Sequence, residues 1–175
     1  MKKGVGVSIL LAILLLPVCA KALIVRDFND HEAGIIQTGD YYDQVNIWDD
    51  ANVTMTGGEV LGLYSYDSST FNLRDGFVNG GLNAKNSSIM NLFGCEQPFT
   101  LTANDSSVVN IYGYGFVVDY IGIKGFWANG DQLSIILRPY DETYSHVVLH
   151  EIPEPCTITI FLSGFLLAVL KHHKA

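Results

Sequence analysis

Apolar and polar positions recur along the middle of this chain at a spacing close to 19 residues. Three stretches align: Asp67-Ser68-Ser69-Thr70-Phe71-Asn72-Leu73, Asn86-Ser87-Ser88-Ile89-Met90-Asn91-Leu92 and Asp105-Ser106-Ser107-Val108-Val109-Asn110-Ile111. A weaker copy, Asp49-Asp50-Ala51-Asn52-Val53-Thr54-Met55, precedes them by 18 residues. Val53, Phe71, Met90 and Val109 form one apolar column, and Met55, Leu73, Leu92 and Ile111 form a second. Between the columns lie Thr54, Asn72, Asn91 and Asn110. Apolar, polar, apolar is the period of two of a half-buried strand.

Each copy follows a second alternating piece: Val45-Asn46-Ile47, Leu63-Tyr64-Ser65, Leu82-Asn83-Ala84 and Leu101-Thr102-Ala103. Asp or Asn with Ser between the two pieces is turn chemistry, because these side chains bond their own backbone. Glycine follows each copy at Gly57-Gly58, Gly76, Gly94 and Gly113, where unusual φ values are expected. A unit of two short strands and two turns cannot bury its face alone, so the copies are expected to stack. The predicted fold is all-β, a short parallel β-helix or β-solenoid of about four coils of 18–19 residues, near 19 Å tall at about 4.8 Å per coil. A β-sandwich with recurring strands is the alternative.

Both ends of such a stack need covering. Leu23 to Tyr42 is the expected first cap. A C-terminal β cap is expected from Tyr114 to Ile152, with strands at Phe116–Ile121, Leu133–Leu137 and His146–Leu149 and a turn at Asn129-Gly130-Asp131.

The chain carries a net charge of −8, but that figure hides an asymmetry. Between Leu23 and Leu170 five basic residues (Arg26, Arg74, Lys85, Lys124, Arg138) face all 18 acidic ones, a net of −13. A domain this acidic repels phosphate backbones, so nucleic acid is not an expected partner. Of three cysteines, Cys95 alone lies between the terminal segments, so no internal disulfide is expected.

The termini read as addresses. Lys2 and Lys3, an uncharged run from Val5 to Val18, and Ala20-Lys21-Ala22 have the layout of a signal peptide spanning residues 1–22, with Ala20 and Ala22 at the cleavage site. Val18 before Cys19 is too large for a lipoprotein signal. At the other end, Ile152-Pro153-Glu154-Pro155 leads into the uncharged run Thr157–Leu170 and the basic tail Lys171-His172-His173-Lys174. The prolines hold the motif extended. As a helix the run spans about 21 Å, short of a hydrocarbon core of about 30 Å, which suits a transient membrane segment.

These residues, Pro153, Glu154 and Pro155 with the run and tail, resemble the PEP-CTERM sorting signal of exported bacterial proteins. The resemblance implies export, recognition by the membrane enzyme exosortase and cleavage near the motif. It covers about 24 of the 175 residues. Cys156 stands where a small hydroxyl residue is usual, and Lys and His stand where the family favours Arg. The repeat Asp-Ser-Ser-x-x-Asn-x-x-Gly also resembles the short repeats of such proteins. The expected organisation is therefore signal peptide 1–22, solenoid with caps 23–151 and sorting signal 152–175. An exosortase-like enzyme and the inner membrane are the expected partners, with an extracellular polysaccharide as a further candidate.

Within the solenoid, candidate chemistry is sparse. Asn72, Asn91 and Asn110 are expected to stack, either meeting a ligand or bonding one another. Asp67, Asn86 and Asp105, beside Asp49-Asp50, are candidate weak calcium sites, without the glycine-rich nonapeptide of calcium-binding solenoids. His146 and His150 have a helical metal spacing in a strand-like context that sets them about 13 Å apart. Arg74, Asp75 and the Asp49-Asp50 pair are the candidates for a polysaccharide lyase or hydrolase. Tyr41, Tyr42, Trp48, Tyr64 and Tyr66, and Tyr112, Tyr114, Phe116, Tyr120, Phe126 and Trp127, are candidates for sugar stacking or for packing. No catalytic, cofactor or metal residue is assigned. The expectation is an exported, non-enzymatic cell-surface or matrix protein without a cofactor; a small carbohydrate-active enzyme or a surface carbohydrate-binding module is the alternative.

Overall fold

A computed structural model describes residues 23–154. The expected signal peptide, Pro155, the run 157–170 and the basic tail lie outside the described residues.

The strands are β1 (Val25–Phe28), β2 (Ala33–Ile36), β3 (Tyr41–Ile47), β4 (Asn52–Ser65), β5 (Thr70–Ala84), β6 (Ile89–Leu92), β7 (Phe99–Ala103), β8 (Val108–Val118), β9 (Gly122–Trp127), β10 (Gln132–Leu137) and β11 (Val147–Glu151), with one short helix, α1 (Tyr140–Ser145). They build a β-solenoid of about five turns. One face is the parallel series β2, the first part of β4, the first part of β5, β6, β8 and β11. The other is β1, β3, the second part of β4, the second part of β5, β7 and β10. Each face thus holds six rungs, and the chain alternates between faces as it climbs.

The columns read from the sequence are in register. Val53 pairs with Phe71, Phe71 with Met90 and Met90 with Val109. All four are fully buried, as are Met55, Leu73, Leu92 and Ile111. From the opposite face Val45, Leu63, Leu82 and Leu101 close the core. Burying such side chains at about 25 cal/mol per Å² is the main stabilising term.

The first expectation to fall is the N-terminal cap. Leu23 to Tyr42 is a coil of the solenoid, not a separate cover, because β1 and β2 join the two faces in parallel register. Its core position is filled from an unexpected direction. The Phe28 ring lies where a side chain on Gly34 would project, with a Cβ there only 2.3 Å from the ring. Phe28 is buried and Arg26 lies over its ring at 4.5 Å, held by Glu32 at 2.6 Å. One aromatic residue thereby closes the end of the core.

The C-terminal cap is also built differently. β10 and β11 continue the two faces as a further coil, and only β9, which the sequence pattern did not reveal, is antiparallel to its neighbours. Residues 119–121 join β8 to β9, and the Asn129-Gly130-Asp131 turn joins β9 to β10. In the last coil α1 replaces the tight turn. Its buried Thr143 accepts a hydrogen bond from Ala103 N at 3.3 Å and donates to Arg138 O at 3.1 Å.

Candidate functional site

Five tight turns stack along one edge of the solenoid. In each a backbone bond spans three residues, as from Ser69 N to Tyr66 O at 3.0 Å and from Ser88 N to Lys85 O at 3.1 Å. The residue after the first carbonyl has positive φ: Asp30, Asp49, Asp67, Asn86 and Asp105, at 40° to 60°. Asp and Asn are the non-glycine residues that best tolerate this region. Their side chains also reach across coils. Asp67 accepts from Asp49 N at 3.4 Å, Asn86 from Asp67 N at 3.4 Å and Asp105 from Asn86 N at 3.0 Å. These oxygens, the candidate calcium ligands, are engaged as turn caps. Among the described residues no group of three His, Cys, Asp or Glu side chains converges on a metal position.

Asp50 points to the first coil, where its carboxylate accepts from His31 N at 2.9 Å and pairs with the His31 imidazole. Burial pushes the Asp50 carboxyl up. The His31 backbone N–H, imidazole and charge outweigh this and hold it below the usual range. Asp49 and Asp50 therefore serve different coils and do not form a catalytic pair.

The expected asparagine stack is present. Asn72 Nδ2 donates to Asn52 Oδ1 at 3.0 Å, Asn91 to Asn72 at 2.9 Å and Asn110 to Asn91 at 3.0 Å. The imidazole of His150 donates from Nε2 to Asn110 Oδ1 at 2.9 Å, ending the ladder. His146, by contrast, sits just after α1 with Nδ1 2.9 Å from Ser107 O. The two histidines have separate partners.

Several of the aromatic candidates form stacks with one another. Trp48 and Tyr66 lie 3.9 Å apart at 5°, with Tyr64 6.3 Å from Tyr66 and Lys85 Nζ 5.7 Å from the Tyr66 ring. Burial, then the neighbouring Tyr64, raises the Tyr66 phenol above its usual pKa. On the other face Arg74, Phe93, Tyr112 and His150 stack in sequence at 5.0, 4.4 and 4.5 Å. Facing one another, the inner rings of each stack present edges outward, and a sugar ring needs an open aromatic face. Arg74 is committed to this stack, while Asp75 accepts from Gly76 N at 2.8 Å and faces the opposite edge.

That opposite edge is the glycine edge. Gly57, Gly58 and Gly76 have φ of 155°, 81° and 115°, as expected. Gly94 and Gly113 are there for close approach instead: a Cβ would lie 2.5 Å from Arg74 O and 2.2 Å from Phe126 O. Two open cavities of about 360 and 460 Å³ adjoin here, sharing Asp75 and Glu96 and reaching Asp40, Glu59 and Asp131. The groove they form is acidic. Cys95 is buried nearby with its thiol donating to Gly76 O at 3.4 Å, and burial pushes its pKa up, leaving it a poor nucleophile.

The Pro153-Glu154 segment begins where the last rung ends. Ile152 N donates to Gly113 O at 2.8 Å, the last ladder bond, and Pro153 and Glu154 follow as exposed residues without regular structure. No described helix is long and apolar enough to cross a membrane. Comparison with protein-family models, curated proteins and solved structures finds no match to this chain.

Proposed function

We propose that this protein is an exported, non-enzymatic component of a bacterial cell surface or extracellular matrix, sorted through its C-terminus by an exosortase-like membrane enzyme. The observation that carries the reading is the order of features after the last rung: an exposed Pro153-Glu154, then Pro155, an uncharged run and the basic tail Lys171-His172-His173-Lys174. A processing enzyme in the membrane meets this motif without unfolding β11. The solenoid is the cargo. Its turn carboxylates, asparagines and rings are engaged with one another, as suits a rigid spacer, and its acidity suits an exposed hydrated surface. An extracellular polysaccharide is its proposed neighbour, met by polar groups and ring edges.

Intact mass of the protein recovered from its native host, with and without the processing enzyme, tests this. Loss of residues 1–22 together with everything beyond the Pro-Glu-Pro region, the second loss depending on the enzyme, is the expected result. A mature chain that ends at Ala175 in both hosts overturns the sorting.

A further inference from the structure

The β8–β9 hairpin is unlike the rest of the molecule. Beyond Gly113 its first strand leaves the parallel stack and pairs with β9 alone, through Tyr114–Phe126, Val117–Lys124 and Val118–Ile123, while β9 is held on its other edge by β10 from Gly122 to Phe126. Both of its faces carry uncovered apolar side chains: Val117 and Tyr120 are 61% and 82% exposed, and Val118, Ile121 and Phe126 are exposed too. In a domain this acidic, the stretch from Ser106 to Gly130 holds just two charged residues, Asp119 and Lys124. They neutralise each other at 3.0 Å.

Geometry says what such a tip would meet. β11 runs parallel to β8 with Glu151 opposite Gly113, and Glu151 Oε1 accepts from Gly115 N at 3.2 Å. The chain leaving β11 therefore heads the same way as the hairpin. Thr157, where the uncharged run starts, is six positions beyond Glu151, and Tyr120 is seven positions beyond Gly113. At about 3.3 Å per residue either stretch can span at most about 20–23 Å from the last shared ladder bond, so the level of the hairpin tip lies within the reach of the chain that leads to the uncharged run.

We propose that the β8–β9 hairpin is a membrane-contact element that rests its tip in the interfacial layer of the bilayer entered by the C-terminal run. The inference rests on the sorting reading for that run. Tyr120 is the residue type enriched at membrane interfaces, with Val117, Val118, Ile121 and Phe126 as its apolar support. The ion pair lets the tip approach lipid without carrying a net charge. Two contacts, run and hairpin, hold the solenoid in one orientation and so fix where Pro153-Glu154-Pro155 sits above the membrane.

The test is the full chain carrying Tyr120→Trp in zwitterionic phosphatidylcholine vesicles with lipids brominated near the headgroup end of the acyl chains. The parent chain supplies the Trp48 and Trp127 background, and resistance to alkaline carbonate extraction reports insertion of the C-terminal run. The expected result is a blue-shifted, bromine-quenched emission from the added tryptophan, lost when Val117→Asp and Ile121→Asp are introduced alongside it. An extraction-resistant chain with unquenched, water-like emission overturns the hairpin contact and leaves the membrane run standing. Quenching in a chain that carbonate removes supports the hairpin contact and overturns the run. A chain that neither inserts nor quenches overturns both.

Discussion

The repeated coils and the β8–β9 hairpin use the same kinds of residue to opposite ends. In the coils a Val, Phe, Met or Leu column is fully buried, the amides of Asn72, Asn91 and Asn110 bond one another from coil to coil, and the turn side chains cap neighbouring turns. In the hairpin Val117, Val118 and Phe126 lie open on the outer ends of β8 and β9, with only β10 on the far edge of β9 to join them to the stack. Stacking is thus what turns an alternating strand into a core. Where stacking stops, the same alternation yields an uncovered surface.

The widest gap between the regions is expected from one substitution made in each. Phe71→Ala empties a fully buried position and is expected to cost about 3–5 kcal/mol. Phe126→Ala, in the hairpin and 41% exposed, should cost less than about 1 kcal/mol. Urea unfolding of both variants checks this, and equal losses would mean that the hairpin is as deeply integrated as the coils.

The asparagine ladder offers a finer cut. Asn91→Ala breaks bonds to both Asn72 and Asn110 and is expected to cost about 1–2 kcal/mol. His150→Ala removes only the end bond to Asn110 and the stack on Tyr112, and by denaturant midpoint should cost less.

At the turns, Asp67→Ala loses both the tolerance of positive φ and the cap on Asp49 N, for an expected cost of about 1–2 kcal/mol. Asp67→Asn keeps both and should be close to neutral in thermal unfolding.

The smallest effect is electrostatic. Asp119 is held below the usual carboxylate range by the Ile121 N–H, then the Lys124 ammonium and the Gly122 N–H, and Asp50 is also lowered. A depressed folded-state pKa stabilises above the unfolded value and loses that contribution as pH falls through the folded one, here below about pH 4. Asp119→Asn in the hairpin and Asp50→Asn in the coils should each flatten the acid limb of a stability–pH curve slightly. Identical curves for parent and variants would remove both pairs from the acid response.

The coils were legible because three copies keep one spacing, and a column of Phe71, Met90 and Val109 is visible without knowing what it packs against. The first coil escaped because its turn, Asn29-Asp30-His31-Glu32, has no serine and because Gly34 occupies a core position. Only the Phe28 ring lying over Gly34 explains that glycine, and such a contact leaves no periodic trace. The strands of the last coil were legible, but as a cap and not as a further rung, because α1 replaces the tight turn with a longer bridge from Arg138 to His146 and breaks the period. β9 escaped because Gly122 and Gly125 interrupt its alternation. Of the candidate side chains, the asparagine stack was readable from spacing, whereas the acidic groove was not: Asp40, Glu59, Asp75, Glu96 and Asp131 fall at unequal intervals and meet only once the irregular glycine edge is folded.

The cross-coil caps all point one way, each side chain from a later turn bonding the backbone of the earlier one. A stack with that polarity can be lengthened or shortened only in whole steps. Excising residues 68–86 would join Asp67 to Ser87 and present the same donor and acceptor at the seam. The height of the rod is therefore a countable quantity, set by how many copies of one sentence the gene repeats, and duplication of a coil changes reach without redesigning either end.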